Sequence, residues 1–245
     1  MLRVEKVSKS FDGFLAVSQV SMTVKEGEIA SLIGTNGAGK TTLFNLITGH
    51  LRSDEGEIYF KDRRITHLHP YDIVRLGIGR SFQRLNIFSR LTVFENVQIA
   101  VISYKKKALS FLRPRERLFE DDTERILNEV GLSALRNEVS GSLSFGYQKQ
   151  LELGIALAFE PELLLLDEPT AGLSAVDTRH AMELIVNVIK ARGTTLLVVE
   201  HDMHVVFSIS DHIIVIHQGR VIGDGTPEQV RKDPEVQKSY LGESL

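Results

Sequence analysis

Gly34-Thr35-Asn36-Gly37-Ala38-Gly39-Lys40-Thr41 stands between the apolar run Ile29 to Ile33 and a segment, Thr41 to Leu51, whose apolar residues Leu43, Leu46 and Ile47 fall at helical spacing. Strand, glycine-rich loop and helix, in that order, are the setting that the pattern G-x-x-x-x-G-K-[ST] requires. Glycines let successive backbone N–H groups turn inward with no Cβ in the way, so the loop becomes a nest for anionic oxygens. The helix starting near Lys40 adds the positive end of its dipole. Lys40 is placed to reach the terminal phosphates of a nucleoside triphosphate, and the Thr41 hydroxyl to ligate Mg²⁺. Gly49 is expected to close the helix as its cap. A plain turn joining strand to helix would explain neither the Lys nor the Thr.

Leu163 to Leu166 is a second apolar strand, and it ends in two carboxylates, Asp167 and Glu168. At the edge of a parallel sheet these acids fall beside the phosphate loop. Asp167 is then suited to holding Mg²⁺ through water and Glu168 to orienting and polarising the attacking water. Reading guanine would call for Asn-Lys-x-Asp, and no Asn here is followed by Lys, so ATP is favoured.

From there the chain alternates: strand 163–166, helix 176–191, strand 194–199, helix 203–210, strand 213–216. Such alternation means crossovers and a largely parallel α/β sheet with helices on both faces. The first fifty residues read instead as short strands with turns at Ser10 to Gly13 and Lys25 to Glu28, and about 55–66 as a hairpin. Residues of about 95–160 turn mostly helical, with Thr123 to Val130 the clearest amphipathic piece.

The composition is that of an ordinary soluble globular protein: 245 residues, 42% hydrophobic, and 29 Lys plus Arg against 32 Asp plus Glu, a net charge of −3. This near balance argues against a dedicated nucleic-acid binder. Without any Cys there is no disulfide, zinc–thiolate site or thiol nucleophile. The opening residues lack a signal-peptide run, and no apolar stretch approaches the roughly 18 residues of a spanning helix, so the chain is not expected to enter a bilayer itself.

Leu143-Ser144-Phe145-Gly146-Tyr147-Gln148 precedes a helix whose Leu151, Gly154, Ile155 and Ala158 share one side, with Ser144 where an N-cap belongs. A phosphate loop, this Leu-Ser-x-Gly signature, an Asp-Glu strand end 23 residues after Ser144 and a His after the next strand together resemble the nucleotide-binding subunit of ATP-binding cassette (ABC) transporters. The resemblance covers essentially the whole chain. Phe145 and Tyr147 depart from it, since the family most often has Gly and Gln there, which bears on contacts along a dimer seam.

The resemblance implies a phosphate-loop ATPase core with an N-terminal antiparallel β part, formed by residues 1–94 and 161–245 of a single domain, and a helical signature part of about 95–160. It further implies that Phe11 stacks on adenine, that Asn36, Gly37, Ala38, Gly39, Lys40, Thr41 and Thr42 hold the phosphates, and that Ser144 and Gly146 meet nucleotide. Thr41, Gln83 and Asp167 would attend Mg²⁺, with Gln83 also contacting the attacking water and moving with the membrane partner. Glu168 polarises the water and His201 hydrogen-bonds the γ-phosphate. Ser174 to Asp177 resembles a loop crossing the dimer interface, and Ser174 can equally cap the helix after it.

The same resemblance implies partners: a second ATPase subunit, as a homodimer or as a heterodimer with a LivF-like sister, transmembrane permease subunits and, indirectly, a solute-binding protein. The place would be the cytoplasmic face of a prokaryotic membrane. Val199 to Met203, the Phe145 and Tyr147 signature, and the tail Asp233 to Glu243 narrow it to the LivG-type branch of branched-chain amino acid importers, much of which urea and amide importers share. A soluble ABC protein working on ribosomes or DNA is the other reading, but such proteins usually carry two cassettes or a long coiled coil, and this chain has one phosphate loop.

Outside these motifs, His67 and His69 read as a solvated turn before Pro70, having no third ligand for a metal. Lys105, Lys106, Lys107, Arg113, Arg115 and Arg117 read as a solvated face or as a patch toward anionic lipid headgroups or a transporter's loops. Phe88, Leu91, Val93 and Phe94 are expected to form an apolar groove for a short helix of a membrane subunit.

Overall fold

Ile29–Ile33 (β3) is buried at every position and lies inside a six-stranded sheet. It runs parallel to Thr195–Val199 (β8) on one side and to His212–His217 (β9) on the other. Beyond β8 come Leu163–Asp167 (β7) and Ile78–Arg80 (β6), also parallel, while Arg220–Gly225 (β10) closes the far edge antiparallel to β9. The computed structural model describes residues 1–81, 87–105 and 119–239.

Because successive strand side chains point to opposite faces, β3 feeds two cores. Ala30 and Leu32 pack with Leu165, Leu197 and Ile214 against Lys40–Ile47 (α1). That layer is completed by a four-stranded antiparallel sheet, in which Leu2–Phe11 (β1) lies between Phe14–Val24 (β2) and Glu55–Phe60 (β4), with Arg63–Arg64 (β5) outside. Ile29 packs the other way, with Leu164, Leu166, Leu196 and Val198. Helices Val93–Lys105, Glu120–Glu129, Phe145–Leu157 and Ala175–Arg192 cover that face. Each fully buried Leu, Ile or Val of these strands stabilises by about 1.5–3 kcal/mol, which makes the sheet a rigid base for whatever its strand ends carry. No helix among the described residues is long and apolar enough to cross a membrane.

In chain order the helices are α1, Pro70–Arg75 (α2), Val93–Lys105 (α3), Glu120–Glu129 (α4), Phe145–Leu157 (α5), Ala175–Arg192 (α6), Met203–Ile209 (α7), Pro227–Lys232 (α8) and Pro234–Ser239 (α9). The expected strands and helices after residue 160 appear with ends shifted by one or two residues, and the hairpin of 55–66 is β4 with β5. The first helix is shorter than its apolar spacing suggests. Gly49 takes a left-handed φ of 72°, its N–H bonds the Leu46 carbonyl at 3.3 Å, and the chain leaves the helix before Leu51.

Several elements are absent from the sequence reading. Pro70 opens α2 as its first helical residue instead of merely following a turn, as proline's fixed φ and missing N–H allow. Strand β6 is only three residues long and contains Gly79, so it has no readable period. Strand β10 and the two short C-terminal helices cover Ile33, Val206, Ile213 and Val215 through Val230 and Val236.

Candidate functional site

Parallel neighbours end on the same edge of a sheet, and here three such ends stand side by side. After β3 comes the loop 34–39, after β7 Glu168, and after β8 Glu200 and His201. Topology therefore joins segments more than 100 residues apart in sequence.

The loop turns tightly enough that its glycines are required. A Cβ on Gly34 would lie 2.1 Å from the Ile216 carbonyl oxygen, and Gly39, at φ 105°, would bring one to 2.5 Å from the Ala16 carbonyl. Both clashes are with backbone. The loop is also braced from outside, since the Gly219 N–H donates to the Ala38 carbonyl (2.9 Å) and the Ser18 N–H to that of Gly219 (2.8 Å). Lys40, the first residue of α1, is buried, and its ammonium donates to the carbonyls of Gly34 (2.8 Å) and Thr35 (3.0 Å). Burial pushes its pKa down, while the charges of Glu168 and Asp167 oppose that shift. Thus the charges of both carboxylates at the end of β7 act on the loop's cation.

Asp167 is fully buried, and its Oδ2 lies 3.3 Å from the Arg80 guanidinium at the end of β6. Arg80 also donates to Asn45 Oδ1 (2.6 Å) and Thr48 Oγ1 (3.1 Å) on α1 and the turn after it, fastening three elements together. Next to Asp167, Glu168 takes a left-handed φ of 52°, a conformation that costs a non-glycine residue on the order of 1 kcal/mol. Its N–H bonds the Val199 carbonyl at 3.0 Å and its Oε1 lies 2.8 Å from His201 Nε2.

A cleft of about 370 Å³ opens over the loop, lined by Phe11, Phe14, Ala16, Asn36 to Thr42 and Glu168. Phe11 and Phe14 face each other across the turn between β1 and β2 and are both exposed. Sequence reasoning singled out Phe11 alone; the pairing across a two-residue turn is the signal that would have added Phe14.

Ser144 occupies the N-cap position of α5, as expected, although its hydroxyl makes no capping bond there. Neither Ser144 nor Gly146 lines the cleft beside Lys40. Ser174 does cap α6, accepting from the Asp177 N–H at 3.2 Å. Gln83 lies outside the described residues, as do Lys106, Lys107, Arg113, Arg115, Arg117 and the tail from Tyr240. Lys105 pairs with Asp122 at 2.5 Å.

The expected docking groove is only partly there. Val93 and Phe94 are buried in the helical core, where the first turn of α3 packs, and only Phe88 stands well exposed. Asn96 fixes that loop, accepting from the Phe88 N–H (2.8 Å) and donating to its carbonyl (3.2 Å). An apolar cleft of about 330 Å³ lies instead between α2, β6 and α5, with Tyr71, Val74, Ile155 and Phe159 on its walls and Arg80 at its edge.

Among the described residues no group of three or more His, Cys, Asp or Glu could hold a metal. The donors that the sequence singles out are hard oxygens, the hydroxyl of Thr41, a residue of the cleft, and the buried Asp167 carboxylate, whose charge acts on Lys40. That set fits Mg²⁺ held together with phosphate oxygens, and not a soft metal.

A phosphate nest on a helix N-terminus, flanked by an acidic strand end in a parallel sheet, defines a phosphate-loop nucleotide-binding protein. Comparison with known proteins narrows the class. Residues 17–171 match the family described as ABC transporter, and residues 220–245 the one described as branched-chain amino acid ATP-binding cassette transporter. The chain belongs to the ABC transporter family. It is 38% identical over 252 residues to the high-affinity branched-chain amino acid transport ATP-binding protein LivG of Salmonella typhimurium, covering 100% of this chain and 98% of that one. Its fold superposes on the ADP conformation of the cassette MJ1267 with a TM-score of 0.85, at 34% identity over 99% of this chain and 98% of the other. With the dimeric, post-hydrolysis cassette MJ0796 bound to ADP and Pi the TM-score is 0.78, at 28% identity over 93% and 99%.

Proposed function

We propose that this chain is the ATP-hydrolysing subunit of an importer for branched-chain, hydrophobic amino acids, working at the cytoplasmic face of a membrane under permease subunits. The observation that carries the proposal is the meeting, in one cleft, of the loop 36–42, Lys40 and Glu168, with His201 at 2.8 Å from Glu168. The LivG relative and the match at 220–245 support the choice of solute.

In this reading Phe11 stacks on the adenine, and the N–H groups of residues 36–42 with the Lys40 ammonium receive the phosphates. Thr41 and Asp167 would hold Mg²⁺, with Gln83 as a further contact; the ion would neutralise charge on the phosphate oxygens. Glu168 accepts a hydrogen bond from the attacking water, and His201 steadies the γ-phosphate as its charge shifts. Its imidazole and the Glu168 carboxylate share one hydrogen bond, which supports a joint role for the pair. Ser144 and Gly146, which do not line their own cleft, serve the site of a second subunit. The division into a core of 1–94 and 161–245 and a helical part of about 95–160 belongs to the same proposal; α3, α4 and α5 pack on one another, in a cluster that continues into the sheet through Leu164, Leu166, Leu196 and Val198.

The test is uptake. The chain with the membrane subunits that co-purify from native membranes, reconstituted in vesicles, should accumulate leucine only with Mg·ATP on the side of this chain. Accumulation of urea instead would move it to the neighbouring branch, and co-purification with ribosomes or DNA in place of membrane subunits would overturn the transport reading.

A further inference from the structure

Glu200 lies one residue before His201 and is not part of the cleft, yet its side chain is almost wholly buried, at 4% exposed. Its Oε1 accepts from both the N–H (3.2 Å) and the hydroxyl (2.7 Å) of Thr170, and its Oε2 accepts from the N–H of His201 (3.2 Å). Thr170 sits two residues after Glu168, in the segment that leads from β7 to α6, and is itself buried. One carboxylate thus clamps the backbones that carry Glu168 and His201, the two side chains in contact at 2.8 Å. Burial raises the Glu200 pKa, and the bonds from Thr170 and His201 counter that rise.

The clamped segment continues to the start of α5. A Cβ on Gly172 would stand 3.2 Å from the Phe145 ring, so that ring lies directly against the segment's backbone, and Leu173 reaches within 3.8 Å of where a Cβ on Gly146 would be. The Leu173 N–H bonds the Thr170 carbonyl at 3.0 Å, making 170–173 a closed turn, and Ser174 then caps α6. Fixing Thr170 therefore fixes the turn on which Phe145 rests.

We propose that Glu200 is a positioning residue: by holding Thr170 and His201 on one carboxylate it sets the mutual placement of Glu168 and His201 and ties it to the turn 170–173 that meets Phe145 and Gly146. This rests on the ATPase reading above and adds to it a residue that acts through others. Conformational change at the α5 start would reach the hydrolytic pair along this path, because the turn and the pair share one anchor.

Glu200→Gln tests the clamp with almost no change of volume. An amide offers one acceptor oxygen. If that oxygen faces Thr170, the new NH₂ confronts the His201 N–H; if it faces His201, the NH₂ confronts the Thr170 N–H, so one backbone donor loses its acceptor either way. In the purified transporter complex, kcat for ATP should fall about tenfold or more while KM stays within about twofold, the pattern of an interaction that matters in the transition state. Thr170→Val, which removes only the hydroxyl bond, should lower kcat in the same way, and Thr170→Ser should restore it. If Glu200→Gln does not fold, the Thr170 pair decides. Turnover within about twofold of the parent in Glu200→Gln or Thr170→Val would overturn the proposal, as would a loss that appears in KM with kcat unchanged. A parent complex that itself fails to hydrolyse ATP would instead defeat the ATPase reading, so the two failures are separable.

Discussion

Arg80→Met keeps an apolar stem like that of the arginine and removes the guanidinium, which makes it a test of how the acidic strand end is held. The Arg80 side chain is 8% exposed and the Asp167 carboxylate it approaches is fully buried. Removing one partner of a buried pair costs about 3–5 kcal/mol, far above the 0–1 kcal/mol of exposed pairs. Two features of the site bear on the figure. Lys40 also feels the Asp167 charge, so the acid keeps one cation within its field and the loss falls toward the lower end. In addition, Asn45 and Thr48 lose their donor. We expect a loss of about 3 kcal/mol, over a hundredfold in the folding equilibrium and a large part of the roughly 5–15 kcal/mol of a typical domain. Urea unfolding followed by far-ultraviolet circular dichroism suits a chain without Trp. Combining the change with Asp167→Asn should cost less than the sum of the two single changes, because the amide no longer needs a counter-charge. A loss under about 1 kcal/mol for Arg80→Met, or strict additivity in the double variant, would refute the buried-pair reasoning.

Lys40→Ala removes the charge that the loop directs toward phosphate, and binding of a fluorescent ATP analogue should weaken by about 2–3 kcal/mol, some 30- to 150-fold in Kd; unchanged binding and hydrolysis would mean that the phosphates lie elsewhere. His212 gives a pH dependence of known sign. Its ring bonds Asp224 and lies 3.4 Å from Glu28 Oε1, and these contacts, Asp224 first, raise its pKa above the ordinary value against the opposing effect of burial. The folded state therefore holds the proton more tightly than the unfolded one. That stabilisation is complete below about pH 6.5 and is lost as pH rises through the folded pKa. Urea midpoints of the parent should fall across this window more steeply than those of His212→Gln, and parallel curves would count against the assignment.

Much of this was open to reading in one chain, for physical reasons that differ by element. The strand of Ile29 to Ile33 is apolar at every position because both of its faces are covered, and the loop after it is spelled out by residues that only phosphate chemistry requires together. The helix of Ala175–Arg192 is long enough for its period to show, and its ends carry Ser174 and Gly193 as caps. Short elements were invisible: three residues of β6 contain no period, yet they deliver Arg80 to Asp167. Glu200 is illegible for a related reason: in sequence it is part of the run leading to His201, and only the return of the chain at Thr170 gives its carboxylate a partner. Val93 and Phe94 belong to the core and not to a groove; an apolar helix start reads the same in sequence whichever it faces.

The central claim is that the two halves of one ATP site come from two subunits. Ser144 is exposed, follows Lys40 by 104 residues and does not line the cleft where Lys40 lies. ATP held between Lys40 of one subunit and Ser144 with Gly146 of another would bridge them, so nucleotide itself would stabilise the pair until hydrolysis. Glu168→Gln removes the carboxylate that polarises water while leaving the loop intact, and it should trap that bridge. Light scattering of this variant at saturating Mg·ATP, alone and mixed with any sister cassette, is the most direct measurement: a species of twice the 27.4 kDa chain mass, or of the mixed pair, is expected. A monomer under both conditions would contradict the shared site.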